Sequence, residues 1–357
     1  MPPILSFLLR RLASMIATLF LATVILYGIV ATMPAESRAM LYYPKNPGKN
    51  FNPNSEKVLI KAIIDRYGLD QPFPVQYTHW LVALAQGDWG WSATAGEQVL
   101  PALLRLTPAT AELTLYSVLA FIPLGLLSGV MAGAKPGRPV DHAFRLTAFI
   151  ATSFPPFILA ILLMAIFYVG LHWFPPERLA DSLRLFVSSD QFTQYTGFVT
   201  LDGLLNGRPD ITLDALRHLV LPVITLGAFH WATLGRVTRA VMMEELGKEY
   251  IIAARARGTS ERRLAWRHAL RNAIAPALNT SLLSAASLVT GVFIVESIYN
   301  FQGLSRFLRN ALVMQPDLPA ALGFSIYSII IVLIFMLALD LLQALADPRL
   351  RQGVYQA

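Results

Sequence analysis

The 357-residue chain contains no cysteine, and charged side chains make up only 14% of it. The lack of cysteine excludes disulfides, thiolate metal ligands and cysteine nucleophiles. No H-E-x-x-H zinc motif and no G-x-S-x-G nucleophile elbow occurs. The two Gly-Lys pairs, at 48–49 and 247–248, lack the Ser or Thr that would complete a phosphate-binding loop. These absences argue against catalysis by this chain and against a nucleotide, cofactor or metal site of its own.

The chain is instead rich in long apolar runs, with 55% hydrophobic residues and a mean hydropathy of +0.52. The first run, Leu12–Met33, has 22 residues without a charge. At about 1.5 Å per residue, a helix of that length crosses the roughly 30 Å hydrocarbon core of a bilayer. A cleaved signal peptide is the alternative reading because Arg10 and Arg11 precede the run, but its apolar core is usually only about 7–15 residues long. The sequence therefore predicts an all-α integral membrane protein.

Five further apolar runs bring the predicted number of membrane helices to six. They are Ala109–Gly133, Leu146–Leu171, Leu219–Val241, Ala275–Ile298 and Ala320–Ala346. With the N-terminus inside, the cytoplasmic pieces hold 16 Lys and Arg in 71 residues, and the opposite side holds 13 in 143. This excess matches the positive-inside rule. We predict a multi-pass protein of the inner (cytoplasmic) membrane with both termini in the cytoplasm.

These spans divide the chain into four predicted parts. An N-terminal tail and first helix (1–33) precede an extracytoplasmic segment (34–108), a five-helix core (109–346) and a cytoplasmic tail (347–357). The core includes an extracytoplasmic segment at 172–218 and a cytoplasmic loop at 236–272. Within that loop, "EYIIAARARGTSERRLAWRHALRN" (residues 249–272, hereafter the basic loop) carries eight charges in 24 residues.

A topogenic charge cluster would explain the charge of the basic loop but not its pattern. Residues 249–257 predict a short alanine-rich helix that other surfaces can approach closely. Gly258 is suited to the left-handed conformation that ends a helix. Thr259 and Ser260 can cap a second helix, with Glu261 in its first turn, that continues into the fifth membrane span. The pattern predicts a cytoplasmic knob joined stiffly to a membrane helix.

The residues of this loop resemble the "EAA" loop of binding-protein-dependent ABC importer permeases, in the version found in dipeptide, oligopeptide and nickel permeases. The matching residues are Tyr250, Ala254–Gly258, Ser260–Arg263, His268–Asn272 and Pro276. Further motifs of the family follow in order along the chain: Gly68–Pro72, Gly87–Gly90, Pro108–Leu113, Leu221–Leu226, Val295–Leu304 and Asp347–Arg349. Ile252 stands where the general loop has Glu, which assigns the chain to the peptide-permease variant.

The resemblance implies a type I ABC importer permease fold whose cytoplasmic coupling helix sits in a groove of an ATPase subunit. It implies as partners a second homologous permease subunit, two ABC ATPase subunits that bind ATP and Mg, an extracytoplasmic solute-binding protein and membrane lipid, but no nucleic acid. The chain would bind no cofactor itself. The expected ATPase-coupling residues are Tyr250, Ala253, Ala254, Arg255, Arg257, Gly258, Ser260, Glu261, Arg262, His268 and Asn272.

A candidate translocation path is less specific. Small or hydroxyl side chains recur on one face of the fifth span at Thr280, Ser284, Ser287 and Gly291, and His230 lies centrally in the fourth span. Such a face can line an aqueous route, but it is more commonly a sign of close helix packing in membranes. His230 can likewise line a path or serve as a packing residue.

Glu112 and Glu296 fall near the outer ends of their spans, where we expect interface exposure. The outer segments are candidates for receiving the binding protein. Residues 55–67 predict an amphipathic helix with Val58, Leu59, Ala62 and Ile63 on one side, and 75–86 a second helix. Residues 173–214 carry six acidic side chains against three Arg, which also fits a solvated loop. The Pro/Asn/Lys-rich stretch 39–54 is predicted to be a loop.

The favoured function is a permease subunit of an ATP-driven importer of di- or oligopeptides. Nickel, opines, oligosaccharides or antimicrobial peptides are alternative solutes. An ion-coupled secondary transporter would be expected to carry acidic residues at the membrane midplane and often a repeat of its helices, and neither is clear in this sequence. A membrane-anchored scaffold or receptor would not need six spans interrupted by Pro and Gly.

Overall fold

The computed structural model describes residues 3–43, 53–314 and 317–346. The predicted tail 347–357 and the central part of the predicted loop 39–54 lie outside these residues. The contacts between Cα atoms divide the chain into two compact units, Met1–Thr107 with Leu304–Leu337 and Pro108–Gly303 with Ala338–Ala357. The predicted four-part division of the chain stays a prediction.

The described residues are helical apart from a short β-hairpin and connecting turns. In chain order the elements are α1 (Pro3–Ala31), α2 (Ala35–Ala39), α3 (Pro53–Tyr67), α4 (Phe73–Ala85), β1 (Trp91–Ser92), β2 (Glu97–Gln98), α5 (Val99–Ala134), α6 (Pro139–Ser153), α7 (Pro156–Leu163), α8 (Asp181–Val187), α9 (Val199–Leu205), α10 (Pro209–Leu246), α11 (Glu249–Ala256), α12 (Glu261–Arg263), α13 (Leu270–Ile298), α14 (Leu304–Arg309) and α15 (Leu318–Ala346). A 3-10 turn covers Met40–Tyr42, and π-helical turns cover Met164–Gly170, Leu264–Ala269 and Asn310–Met314.

An aromatic core joins α1, α4 and α15 in the first unit. The rings of Tyr27 and Trp80 stack with their centroids 4.8 Å apart, and Tyr77 and Ile326 are buried beside them. The antiparallel β1–β2 hairpin is attached to the start of α15 by Asp317. Its Oδ2 accepts hydrogen bonds from Ser92 Oγ at 2.8 Å and from Thr94 N at 3.0 Å, while its Oδ1 accepts one from Ala320 N. One buried carboxylate thus caps a helix and holds a hairpin.

The predicted outer helices exist, but only two of the four side chains predicted for the apolar side of the first, Leu59 and Ile63, pack. Residues 55–67 lie in α3 and residues 75–85 lie in α4. Val58, predicted to lie on the apolar side, is 71% exposed, and Ala62 is exposed as well. The side chains that pack are instead those of Leu59, Ile60, Ile63, Ile64 and Tyr67. Since Ile60, Ile64 and Tyr67 add more apolar surface than Val58 and Ala62, burying this rotated face removes more of it from water.

Helix α10 is the centre of the second unit and packs against α6, α7, α9 and α13. Three glycines of α5, spaced four residues apart, bring α5 and α10 into close contact. A Cβ on Gly125 would lie 2.9 Å from Leu234 Cδ2, and one on Gly133 would lie 2.7 Å from Met242 Cβ. The closest approach is at the middle glycine, Gly129, where an added Cβ would lie 2.6 Å from Thr238 Cβ. Small residues at this spacing allow two membrane helices to approach backbone to backbone.

Five of the six predicted spans fall on single helices. These are α1, α5, α10, α13 and α15, and α5 and α10 extend well beyond the predicted ends. Of these, α1, α5, α10 and α15 are long and apolar enough in their described residues to cross a membrane. The all-α membrane fold is confirmed, whereas the count of six and the orientation stay predictions.

The predicted span Leu146–Leu171 contains the Pro155–Pro156 pair, and the structure is sharply bent at this pair. Helix α6 ends at Ser153, α7 begins at Pro156, and the two are bent by 104°. Pro155 disfavours the helical conformation in the residue before it, and Phe154 is extended with φ −107° and ψ 132°. Pro156 then occupies the first turn of α7, where a missing N–H costs nothing. The bent pair is either a broken span or a re-entrant segment.

Candidate functional site

The first helix of the basic loop ends in the way its sequence predicts. Gly258 follows α11 with φ +81°, its N–H bonds Arg255 O at 2.9 Å, and Thr259 N–H bonds Ala254 O at 3.2 Å. These two bonds form a Schellman motif, in which a left-handed residue reverses the chain and satisfies the last carbonyls. The elbow at Gly258 is therefore fixed by backbone geometry.

The second helix of the basic loop begins after Ser260, as predicted, but without the predicted side-chain cap. Ser260 is in the N-cap position with extended backbone, and its hydroxyl makes no capping hydrogen bond. Across the elbow, Arg255 Nε and Nη2 donate to the carboxylate of Glu261 at 2.6 and 3.2 Å. This pairing lowers the pKa of Glu261 and raises that of Arg255. Both side chains are exposed, so the pair orients the elbow more than it stabilises the fold.

The inner side of the basic loop packs on the C-terminal ends of α5 and α10, which are predicted to face the cytoplasm. Ile251 and Ala254 of α11 are buried with Leu264 and with Val130 and Met242. Ala265, Ala269 and Ala273 complete this cluster. The small alanines let the two helices of the loop lie close to α10, so the loop is joined rigidly to the membrane-spanning helices.

A buried carboxylate that sequence reasoning missed ties the loop together. Glu245, with 8% of its side chain exposed, accepts hydrogen bonds from Tyr250 OH at 2.6 Å and from Asn272 Nδ2 at 3.1 Å, and it pairs with Lys248. Asn272 Nδ2 also donates to Tyr250 OH at 3.0 Å. Burial, followed by the bond to Glu245, raises the pKa of the Tyr250 phenol. The sequence signal was an acidic pair in the last turn of a helix, where the helix dipole disfavours negative charge.

The other expected coupling residues form the outer side of the loop. Tyr250 is 39% exposed, and Ala253, Arg257 and Arg262 are exposed too. Ile252 and Trp266 add apolar surface, being 54% and 38% exposed. The loop thus presents a mixed apolar and cationic face of the kind that docks on another protein. His268 is half-buried.

The candidate path residues do not share one environment. On α13, Ser284 is 7% exposed, whereas Ser287 is exposed and Thr280 and Gly291 are half-buried. A Cβ on Gly291 would meet nothing within 4 Å. On α10, His230 is 9% exposed and its ring lies 5.6 Å from that of Phe121. The assignment of these residues to a path stays a prediction.

The expectation that Glu112 and Glu296 are exposed was wrong. Glu112 is 1% exposed and Glu296 is fully buried. Arg178 donates to Glu112 Oε2 at 3.0 Å from Nε and 2.5 Å from Nη2, and Thr200 donates to Oε1 at 2.9 Å from N and 2.7 Å from Oγ1. Both partners come from the 172–218 segment, whose position the sequence could not give. A buried carboxylate is stable here because charged and polar donors surround it.

The end of α13 also contacts this segment. Glu177 N donates to Tyr299 O at 2.7 Å, and Asn300 Nδ2 donates to Glu177 Oε1 at 3.0 Å. Helix α13 therefore runs from the basic loop at one end to the 172–218 segment at the other. Among the residues that the structure describes, no three His, Asp or Glu side chains are arranged to hold a metal ion.

Comparisons with known proteins cover almost the whole chain. Residues 122–352 match the family described as binding-protein-dependent transport system inner membrane component, and residues 4–114 match the corresponding N-terminal family. The di/tripeptide transport system permease protein DppB of Pseudomonas aeruginosa is 33% identical over 97% of this chain and 99% of its own length. The dipeptide permease protein DppB of Escherichia coli K12 is 30% identical, and the oligopeptide permease protein AppB of Bacillus subtilis is 28% identical, with the same coverage. The solved inward-facing MetNI methionine ABC transporter gives a TM-score of 0.46 at 14% identity, over 70% of this chain and 96% of that chain.

Proposed function

Because this chain belongs to the family of binding-protein-dependent transport system inner membrane components, we propose that it is the permease subunit of an importer of di- or oligopeptides. The names of the similar permeases support a peptide as the solute, in preference to nickel, an opine or an oligosaccharide. The chain is a multi-pass protein of the inner membrane and acts in transport. The family works with a solute-binding protein, with ATPase subunits and with a second permease.

In the proposed mechanism, this chain forms half of the pathway and the ATPase subunits supply the nucleotide chemistry with ATP and Mg. A binding protein delivers the peptide on the side of the 172–218 segment. Closure of the ATPase subunits pushes on the basic loop, which faces the cytoplasm together with both termini. That push switches the helices between inward-open and outward-open arrangements.

The observation that carries the proposal is the construction of the basic loop. Its inner side is packed on α10 through Ile251 and Ala254 and held by the Glu245 network, while its outer side is exposed. A loop attached in this way moves as one body with α10 and α13. A force applied to its outer face is then transmitted to the membrane helices and not absorbed within the loop.

Replacing Gly258 tests this role. Nothing lies within 4 Å of a Cβ built on Gly258, so the Gly258→Val substitution acts only through its left-handed backbone. For a residue with Cβ that conformation costs about 1–2 kcal/mol, which reduces the population of the docked elbow about 5- to 30-fold. In liposomes that contain the full importer, we expect Gly258→Val to lower peptide uptake per ATP hydrolysed by the same factor of about 5 to 30. Gly258→Asn should largely keep the parent value, since Asn tolerates the left-handed conformation.

Gly137→Val is the matched control, because Gly137 is equally exposed, has φ +73° and also has open space around its Cβ, yet lies outside the basic loop and the outer segments. The control should transport normally. Normal uptake by Gly258→Val, or an equal loss in the control, would contradict a coupling role for the elbow.

A further inference from the structure

A cationic cavity of about 740 Å³ opens between α6 and α10. It lies at the end of these helices that also carries the basic loop, because α6 starts and α10 ends there. Three arginines and one histidine line it together with apolar side chains; the polar members are His142, Arg145, Arg236 and Arg239. The proposed transport function assigns nothing to this cavity.

One of these cations, Arg239, forms an ion pair with a buried carboxylate of α6. Asp141, which is 1% exposed, accepts hydrogen bonds from Arg239 Nε at 2.5 Å and Nη2 at 2.9 Å, and another from Gly137 N at 2.9 Å. Arg145 lies one helical turn beyond Asp141 and is exposed, as is Arg236. In the described part of the chain neither of these two arginines forms an ion pair, although Arg145 is close enough to Asp141 for their charges to interact. The cavity therefore keeps two exposed guanidinium groups available for an anion.

The surface next to these arginines is apolar. Leu146, which lines the cavity, is 61% exposed, and Phe149, also in its wall, is 68% exposed. Ile150 extends the same surface along α6 and is 49% exposed. A soluble anion gains nothing from such a surface, whereas an acyl chain does. Charge at the helix end with exposed apolar residues deeper in the membrane is the arrangement that a phospholipid requires.

We propose that this cavity binds an anionic phospholipid, with its phosphate at Arg145 and Arg236 and an acyl chain along Leu146 and Phe149. Guanidinium groups bind phosphate oxygens through paired hydrogen bonds, which favours arginine over lysine at such a site. Arg239 does not take part directly, since Asp141 holds it, and instead fixes the wall of α6 against α10. The bound lipid would attach the bent α6–α7 pair to the membrane surface.

The test is a lipid titration of the purified full-length chain followed by native mass spectrometry. The probes are phosphatidylglycerol, phosphatidylcholine with the same acyl chains, and inorganic phosphate. We expect phosphatidylglycerol to bind more tightly than phosphatidylcholine and to stay bound when inorganic phosphate is added. Arg145→Gln and Arg236→Gln should each lower the affinity for phosphatidylglycerol about fivefold, and the double variant should lower it about 25-fold.

The double variant Lys135→Gln/Arg138→Gln is the charge-matched control, because both residues are exposed near the same end of α6 but do not line the cavity. This control should change the affinity for phosphatidylglycerol by less than about threefold. Equal binding of the two lipids, equal losses in test and control variants, or displacement of the lipid by inorganic phosphate would overturn the proposal. The proposal would also be overturned if the arginine variants bound phosphatidylglycerol as tightly as the parent protein and residue 145 cross-linked to another subunit of the importer. Phe149→Ala, which keeps both arginines, should lower the affinity for phosphatidylglycerol but not the affinity for inorganic phosphate.

Discussion

At the scale of single residues, Glu245 links the basic loop to α10. It is a buried carboxylate with three partners: Lys248 in the turn before α11, Tyr250 within α11 and Asn272 at the start of α13. Its neighbour Glu244 has 72% of its side chain exposed, and its Oε1 lies 3.3 Å from Lys248 Nζ. Two adjacent residues of the same type thus have very different surroundings.

Replacing each of these two glutamates with Gln separates their roles. Glu245→Gln removes the charge that three donors share, and we expect a loss of about 1–3 kcal/mol in the free energy of unfolding. Glu244→Gln should stay within about 0.5 kcal/mol of the parent protein. The measurements are thermal unfolding in detergent and the rate of trypsin cleavage after Arg257 and Arg262, which should rise only for Glu245→Gln. Similar cleavage rates in both variants would show that the Glu245 network does not hold the loop.

Glu112 shows why single residues near span ends are hard to interpret from sequence. Hydropathy places it near the end of a span, where exposure is the simplest expectation. The structure instead places Arg178 and Thr200 around it, from positions 66 and 88 residues further along the chain. No periodicity in the sequence encodes a partner at that separation.

At the scale of elements, Gly125, Gly129 and Gly133, hereafter the glycine seam, set the distance between α5 and α10. A Cβ on Gly129 would lie 2.6 Å from Thr238 Cβ and 2.7 Å from Gly235 O. These atoms belong to a helix backbone and to a β-branched side chain, which cannot move away freely. The helices must therefore separate if any side chain is added at this position.

We expect Gly129→Ala to destabilise the protein by about 1–3 kcal/mol, because the added methyl group overpacks the seam. Gly28→Ala is the matched control, since Gly28 also lies inside a long helix, α1, and a Cβ there meets nothing within 4 Å. That change should be neutral or slightly stabilising, because Ala has the higher helix propensity. Thermal unfolding of both variants in detergent gives the comparison. A Gly129→Ala protein as stable as its parent would mean that α5 and α10 are further apart than described here.

Helix α13 connects the basic loop to the 172–218 segment. It begins directly after the π-helical turn Leu264–Ala269, and the residues just beyond its other end bond Glu177 of the 172–218 segment. A single helix therefore contacts the proposed ATPase-docking loop and the proposed binding-protein side. A rigid element of this kind can link events at two sites without any other connection between them.

At the scale of the whole molecule, the proposed function requires partner subunits to bind and hydrolyse ATP, since the sequence of this chain contains no phosphate-binding loop motif. Gentle extraction from the native membrane, followed by mass spectrometry, should recover it in fixed ratio with a second permease and two ATPase subunits. The basic loop's exposed face predicts that these ATPases dissociate when Ala253 is replaced with Glu but not when Ser297, exposed at the other end of α13, is replaced with Glu. A stable assembly that lacks any ATPase would contradict the importer assignment.

The sequence by itself determined the class, the family and the local conformation of the basic loop. Apolar runs of membrane length require helices, since backbone polar groups in lipid must be satisfied within the segment. Gly258 ends α11 because a left-handed residue is needed there, and a glycine supplies it without strain. These are local causes, and a sequence displays them directly.

Only the tertiary structure decided which distant groups meet. It rotated the packed face of α3, set the 104° angle between α6 and α7, and buried Glu112 and Glu296. It also revealed Glu245 as the anchor of the loop and joined Arg145 and Arg236 in one cavity. The physical reason is that burial, close approach and charge pairing depend on the neighbours that packing supplies, and residues tens of positions apart carry no local signal of their contact.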